Sequence, residues 1–191
     1  MQRRIVLASG DQRELEQLKH VGLRYGYRTV AEALNGMAAL KAVRTTMPDV
    51  VLLDDRLPVL DGMQVAKILT EENIAPAVLI VSQGNNSLVE RAKDVTSAFL
   101  LRPYMDDQVY AAVEVAVSAH KRYSQLQQQL SELQETLKSR KLVEKAKGIL
   151  MKQRGMSEEI AYKAIQHTAM KKRTTMKSVA ESIITAHEMG V

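Results

Sequence analysis

Short unbroken apolar runs alternate with amphipathic stretches through the first hundred residues. RIVLA at 4–8, Tyr27–Ala31, DVVLLD at 49–54, PAVLIVS at 76–82 and Ser97–Leu101 read as strands. Three of them are continuously apolar, as strands covered on both faces of a parallel sheet are. Between them, Leu15, Leu18 and Leu23 space a helix that Gly26 ends, and Ala38–Thr46 is a second helix closed by Met47-Pro48. Met63–Glu72 and Leu88–Asp94 supply two more. Strands alternating with helices in this way predict an α/β, doubly wound, five-stranded parallel sheet.

From Val109 the period changes. Ala112, Ala116, Ala119, Tyr123, Leu126, Leu130, Leu133 and Leu137 follow at alternating steps of three and four. That is the 3.5-residue average that keeps a narrow stripe facing a partner helix. Only Gly148 interrupts a helical composition from Asp106 to Arg154, which predicts one rod roughly 70 Å long at about 1.5 Å per residue. A rod of that length cannot bury its stripe inside a small domain, and a second copy of the chain is the simplest cover. The alanine half of the seam is expected to pack on the front domain, and Leu126, Leu130, Leu133 and Leu137 to pair between chains. A long intrachain helical hairpin is the alternative, but no second heptad segment completes it.

Beyond the seam the helical pattern continues in shorter pieces. Leu142, Val143, Ala146, Ile149 and Leu150 form one apolar face, stopped by Gly155. Ser157 is placed to cap a second helix, with Glu158 and Glu159 in its first turn and Ile160, Ala161, Ala164, Ile165, Thr168 and Ala169 as its apolar face. Met176, Val179, Ala180, Ile183 and Ile184 space a third. The end of the chain therefore reads as a small all-α three-helix bundle, too small to carry catalytic machinery. The expected organisation is a front domain over 1–118, a coiled-coil linker helix over 119–137 and the helical domain over 138–191.

Charge changes the picture most. Residues 1–137 hold 15 Lys/Arg against 17 Asp/Glu, and residues 138–191 hold 12 against 5. A near-neutral front and a basic tail suggest a module that meets a polyanion, although a solvated basic face would look the same. There is no cysteine, which excludes disulfides, thiolate metal sites and a cysteine nucleophile. MQRRIVLASGD reads as a first strand rather than a signal peptide, and no stretch reaches the 18 or so apolar residues of a membrane span. A cytoplasmic protein without a membrane partner is expected.

Ligands of doubly wound sheets gather outside the carboxyl ends of the strands, where Asp11, Asp54, Asp55, Ser82 and Arg102 fall. Crowded carboxylates with a hydroxyl and a cation suit Mg²⁺ and a phosphoryl group. Here residues 3–118 resemble the receiver domain of two-component response regulators. LLDDRLPVLDG at 52–62 is similar to its phosphorylation loop, and LLRPY at 100–104 to the turn after its fifth strand. The resemblance implies Asp54 as phospho-acceptor, with Asp11, Asp54 and the backbone carbonyl of Arg56 as Mg²⁺ ligands. It implies Ser82 as the switch hydroxyl, Phe99 as the switch aromatic, and Arg102 at the position of the family's lysine. Two positions depart from the family: Gly10-Asp11 supplies one acid where a pair is usual, and Arg102 replaces that lysine, a planar fork in place of a compact ammonium. Asp55 is expected to point away from Asp54, as strand neighbours do. A purely structural role for all these residues stays open.

AKGILMKQRGMSEEIAYKAIQHTAM at 146–170, followed by SVAESII at 178–184, is similar to the ANTAR domain, the RNA-binding module of AmiR/NasR/EutV-like transcription antiterminators. With the receiver, this resemblance covers nearly the whole chain. It implies a non-enzymatic regulator whose dimers bind paired leader-RNA hairpins and prevent a terminator from forming. Ala146, Leu150, Ala161, Ala169, Met170 and Val179 are expected in the core of the module. Lys147, Lys152, Arg154, Lys171, Lys172, Arg173 and Lys177 are candidate contacts to phosphates or loop bases. Tyr162 is either a stacking platform or a core aromatic. The implied partners are RNA, a second copy through the coiled coil, and a sensor histidine kinase or a sequestering protein. Two rival functions are a DNA-binding response regulator and a receiver-like adaptor held by a protein partner. MKSVAESIITAHEM offers few of the Arg, Asn or Gln side chains that read base edges.

Overall fold

The computed structural model describes residues 2–82, 86–96 and 98–189. Ser97, placed at the start of the fifth strand by the apolar pattern, lies outside them. The elements run β1 (Arg4–Ala8), α1 (Gln12–Arg24), β2 (Arg28–Ala33), α2 (Gly36–Thr46), β3 (Val50–Asp54), α3 (Gly62–Glu71), β4 (Ala77–Ser82), α4 (Asn86–Val95), β5 (Ala98–Arg102), α5 (Asp106–Arg154), α6 (Glu158–Lys171) and α7 (Met176–Glu188). The chain divides into two compact units, Met1–Gln125 and Leu126–Val191.

In the first unit the five strands are parallel in the order β2-β1-β3-β4-β5, the doubly wound sheet expected. Strand alternation decides what each face covers. Val6, Ala8, Val51, Leu53, Leu79 and Val81 pack with α2, α3 and Ala92 of α4. Ile5, Leu7, Val50, Leu52, Val78, Ile80 and Leu100 pack with α1 and the start of α5. Each apolar run is thus spent on both faces, which is why the central strands show no polar alternation. The second strand runs to Ala33 instead of Ala31, because Glu32 and Ala33 continue the ladder opposite Leu7 and Ala8.

The helices start on side-chain caps that satisfy otherwise orphaned amides. Asp11 accepts from the amide of Arg13, Asn35 from Ala38 and Asp61 from Gln64. At α5 the alanine half of the seam is buried, through Val109, Ala112 and Ala116. Tyr110 stacks on Tyr25 at 4.8 Å between ring centroids, Tyr27 donates to Glu114 at 3.1 Å, and Arg24 pairs with Asp106 at 2.9 Å.

In the second unit, Val143, Ala146, Ile149 and Leu150 of α5 pack with Ala161, Ile165 and Ala169 of α6 and Val179, Ala180 and Ile184 of α7. Ser157 caps α6 and Thr175 caps α7. Gly155, at φ +62°, ends α5 in the left-handed region where a side chain is strained. Two apolar residues expected inside are outside. Ile160 and Met170 are exposed, because α6 buries one stripe at four-residue steps and they fall beside it.

The loop from β3 to α3 is unusually constrained. A Cβ on Gly62 would stand 2.0 Å from the carbonyl oxygen of Asp54, and one on Gly36 would stand 1.9 Å from that of Leu60. Val59 sits at φ +70° and is 84% exposed, a conformation costly for a β-branched residue. Gly62→Ala is expected to lower stability by about 3 kcal/mol. Val59→Gly is expected to raise it by up to about 1 kcal/mol, since relief of left-handed strain exceeds the added chain entropy. Denaturant midpoints of the two variants check both signs.

Candidate functional site

The carboxyl ends of β1, β3 and β5 bring Ser9, Asp54 and Arg102 together, and the first turn of α1 adds Glu14. Arg102 is the centre. Its Nε donates to Glu14 Oε1 at 2.9 Å and its Nη2 to Glu14 Oε2 at 2.7 Å, a bidentate fork on one carboxylate. Nη2 also lies 2.9 Å from Asp54 Oδ1, while Nη1 reaches Asp55 Oδ1 at 3.3 Å and the Ile80 carbonyl at 3.2 Å. The buried Ser9 hydroxyl sits 2.8 Å from Glu14 Oε2 and 3.1 Å from Asp54 Oδ2. Tyr104 donates to Glu14 Oε1 at 2.9 Å, and the Arg56 amide donates to Asp54 Oδ1 at 3.0 Å.

Asp55 corrects an expectation. Strand β3 ends at Asp54, so alternation no longer governs the next residue, and the turn swings Asp55 into the same cluster. Burial works against both carboxylates. For Asp54 it is outweighed by the Arg56 amide, the Asp55 side chain and the Arg102 guanidinium, which hold it below the usual carboxylate range. For Asp55 burial is reinforced by the neighbouring Asp54, and its carboxyl is raised. Burial and the adjacent Glu14 likewise push the Tyr104 phenol up.

Asp11 is exposed and its carboxylate caps α1. Ser82 is half-buried and stands in register with Arg102 across β4 and β5. Phe99 is half-buried against the α2–α3 side of the sheet. Among the described residues no group of three His, Cys, Asp or Glu side chains is placed to hold a metal. The pocket's carboxylates face a guanidinium instead, so the donor set does not fit a divalent cation.

Glu14, Ser9 and Tyr104 went unnoticed in the sequence. A signal for Glu14 was present: a buried arginine needs a carboxylate, and Glu14 lies in the first turn after Asp11, beside the strand ends.

In the second unit, Lys152, Arg154, Lys171, Lys172 and Arg173 are exposed, as is Tyr162, which is not a core aromatic. Arg173 is at φ +50° in the turn between α6 and α7. Lys177 is half-buried and pairs with Glu135 of α5. Lys147 is a correction. Its side chain is only 8% exposed, and its Nζ lies 2.9 Å from Glu144 and 2.8 Å from Glu158. A cation held between two helices in this way ties α6 to α5 and is not free to meet a phosphate. Leu126, Leu130, Leu133 and Leu137 are each more than half exposed.

A receiver-type sheet with its acidic cluster at the strand ends, together with a basic three-helix unit, defines a regulator that couples an input domain to an output domain. This chain belongs to the response regulators that carry an ANTAR domain. Residues 5–114 match the response regulator receiver domain and residues 131–184 the ANTAR domain. The transcriptional regulatory protein PdtaR of Mycobacterium tuberculosis is 37% identical over 183 residues, which is 95% of this chain and 89% of that one. The receiver domain of the response regulator NarL from the same organism is 27% identical, with a TM-score of 0.56 over 63% of this chain and 97% of that one. A receiver domain of a diguanylate cyclase from Desulfovibrio desulfuricans shares the fold at a TM-score of 0.59, 23% identity and coverage of 64% and 99%. The family is regulatory and non-enzymatic: ANTAR regulators bind RNA, and receiver domains answer to kinases. No described helix is long and apolar enough to cross a membrane.

Two measurements test the site. On acidification, carboxylate NMR signals are expected to show Asp55 taking up its proton above the usual range and Asp54 below it. The raised group favours the folded state as pH falls, and the lowered group loses its contribution as pH falls through its folded value. For the second unit, Lys147→Met is expected to lower its melting temperature by removing the hydrogen-bonded tie between α5 and α6, read by circular dichroism of the full chain. Lys172→Met is expected to leave it unchanged.

Proposed function

We propose that this protein is an RNA-binding transcription antiterminator that acts as a dimer on paired hairpins of leader transcripts. The observation that carries the reading is the ANTAR match over residues 131–184, whose exposed surface holds Arg154, Lys171, Lys172 and Arg173 around the end of α5 and the α6–α7 turn. Cations displayed on small helices suit hairpin backbones and splayed loop bases, and exposed Tyr162 suits stacking on an unpaired base. Lys152 extends the same basic set, whereas half-buried Lys177 is held by Glu135.

The leucine stripe supports dimerisation. Four leucines spaced for a coiled coil and each more than half exposed in one chain are covered economically by the same stripe of a second copy. Residues 119–137 then form the coiled coil between the receiver at 1–118 and the RNA reader at 138–191. Two readers on one dimer bind two hairpins with a gain in effective concentration that neither has alone. In this reading Asp54 is the position on which a sensor kinase acts, and Ser82 and Phe99 report its state. Their shift of population toward the dimer is the signal.

Leu130→Glu with Leu133→Glu is expected to give a monomer in sedimentation and to weaken binding to a two-hairpin RNA by about tenfold or more. Binding to a single hairpin is expected to change little. Arg173→Ala is expected to weaken both. Tighter binding of the wild-type chain to duplex DNA than to the hairpin pair, at equal salt, would overturn the assignment.

A further inference from the structure

Receiver domains typically hold Mg²⁺ in their acidic pocket, and the metal neutralises the carboxylates there. In this chain that neutralisation is already in place. Glu14, Asp54 and Asp55 are almost fully withdrawn from solvent, and so is most of Arg102, whose side chain is 19% exposed. The three nitrogens of its guanidinium make five contacts to oxygen, two on Glu14 and one each on Asp54, Asp55 and the Ile80 carbonyl. A compact ammonium, with three donors on one atom, cannot take one carboxylate in a planar fork while reaching two more and a carbonyl, whereas a guanidinium can. Arg56 stands over the same oxygens, with its Nε 3.8 Å from both Asp54 Oδ1 and Asp55 Oδ1.

A dication binding at Asp54 Oδ1 would therefore meet one guanidinium in contact with that oxygen and a second close by. It would also find each carboxylate of the pocket already engaged. Mg²⁺ demands near-ideal octahedral oxygen geometry, but the Asp11 carboxylate is engaged at the amide of Arg13. The Asp54 oxygens are shared between Arg102, the Arg56 amide and Ser9. Glu14 is taken bidentately and is bonded by Tyr104 as well. Every carboxylate that could face a metal in this pocket already has a cation or an N–H or O–H donor upon it.

We propose that Arg102 takes the place of the divalent cation in this receiver, so that the pocket is closed by its own counter-ion and does not recruit Mg²⁺. Glu14 is the positioning residue of the device: it is not a remnant of the missing acid pair but the carboxylate that aims the fork at Asp54 and Asp55. The two departures from the family pattern, the absent acid at residue 10 and the arginine at 102, are then one change. Removing an acid lowers the demand for a dication, and extending the cation to a fork meets what remains.

The probe is Mn²⁺, read as paramagnetic broadening of amide signals in the full chain, with Mg²⁺ as competitor. The wild-type protein is expected to show no saturable broadening at residues 9–11 and 54–56 up to about millimolar metal, and a melting temperature independent of Mg²⁺. Arg102→Ala, and Glu14→Gln to a lesser degree, are expected to gain saturable broadening there that Mg²⁺ displaces, with affinity at least about tenfold above the wild type, or about 1.4 kcal/mol. Saturable, Mg²⁺-displaced broadening in the wild-type chain would overturn the proposal, and so would folded variants that bind no better than the wild type. Should Arg102→Ala not fold, the wild-type titration and Arg102→Lys decide the matter. RNA binding plays no part in this readout.

Discussion

A single guanidinium spanning three carboxylates closes the carboxyl end of the sheet, and much of the first unit is arranged to make that possible. Arg102 ends β5, Asp54 ends β3, and the Ile80 carbonyl belongs to β4 between them. Glu14 comes from α1 and Tyr104 from the segment entering α5. Four elements thus meet at one charged centre beneath low-dielectric walls, where an unpaired member would be expensive. Close backbone approach at Gly62, against the Asp54 carbonyl, holds the third strand end in place beside it.

In the second unit a buried cation is paired on a smaller scale, with carboxylates that stay at the surface. Four of that unit's ten buried core residues are alanines, Ala146, Ala161, Ala169 and Ala180, which let three helices approach closely but remove little apolar surface from water. Lys147, sandwiched between Glu144 and Glu158, adds a tie between α5 and α6 where hydrophobic area is scarce. Basic residues in this unit therefore serve two ends, and only their surroundings separate them.

Most of the fold was legible because it depends on local pattern. Continuous apolar runs marked buried parallel strands, and Ser157, Gly26 and Gly155 marked helix ends to within a residue or two. The exposed leucines and buried alanines of α5 divide near Tyr123, where the seam changes residue type. What escaped was whatever depends on partners distant in sequence. Glu14 and Arg102 are 88 residues apart, and no periodicity joins them. Asp55 was misdirected by carrying strand alternation one residue past the strand. Lys147 looked like every other lysine of a basic helix until two glutamates closed on it. Ile160 and Met170 obeyed helical spacing loosely enough to pass as core, although a helix in so small a bundle covers one stripe only.

The ion pairs of the second unit also bear on how strongly it attracts a polyanion. Lys145 is matched by Glu188, Lys147 by Glu144 and Glu158, Lys163 by Glu159 and Lys177 by Glu135. The exposed positive charge of this unit left without an ion pair among the described residues then falls in three places: Lys138, Arg140 and Lys141 along α5, Lys152 and Arg154 at its end, and the turn at residues 171–173. The number of counterions such a surface displaces from a nucleic acid backbone follows the cations that actually reach phosphates rather than the formal charge. Its affinity should accordingly fall less steeply with salt than the count of basic residues suggests, leaving a larger share of recognition to shape and to the bases themselves.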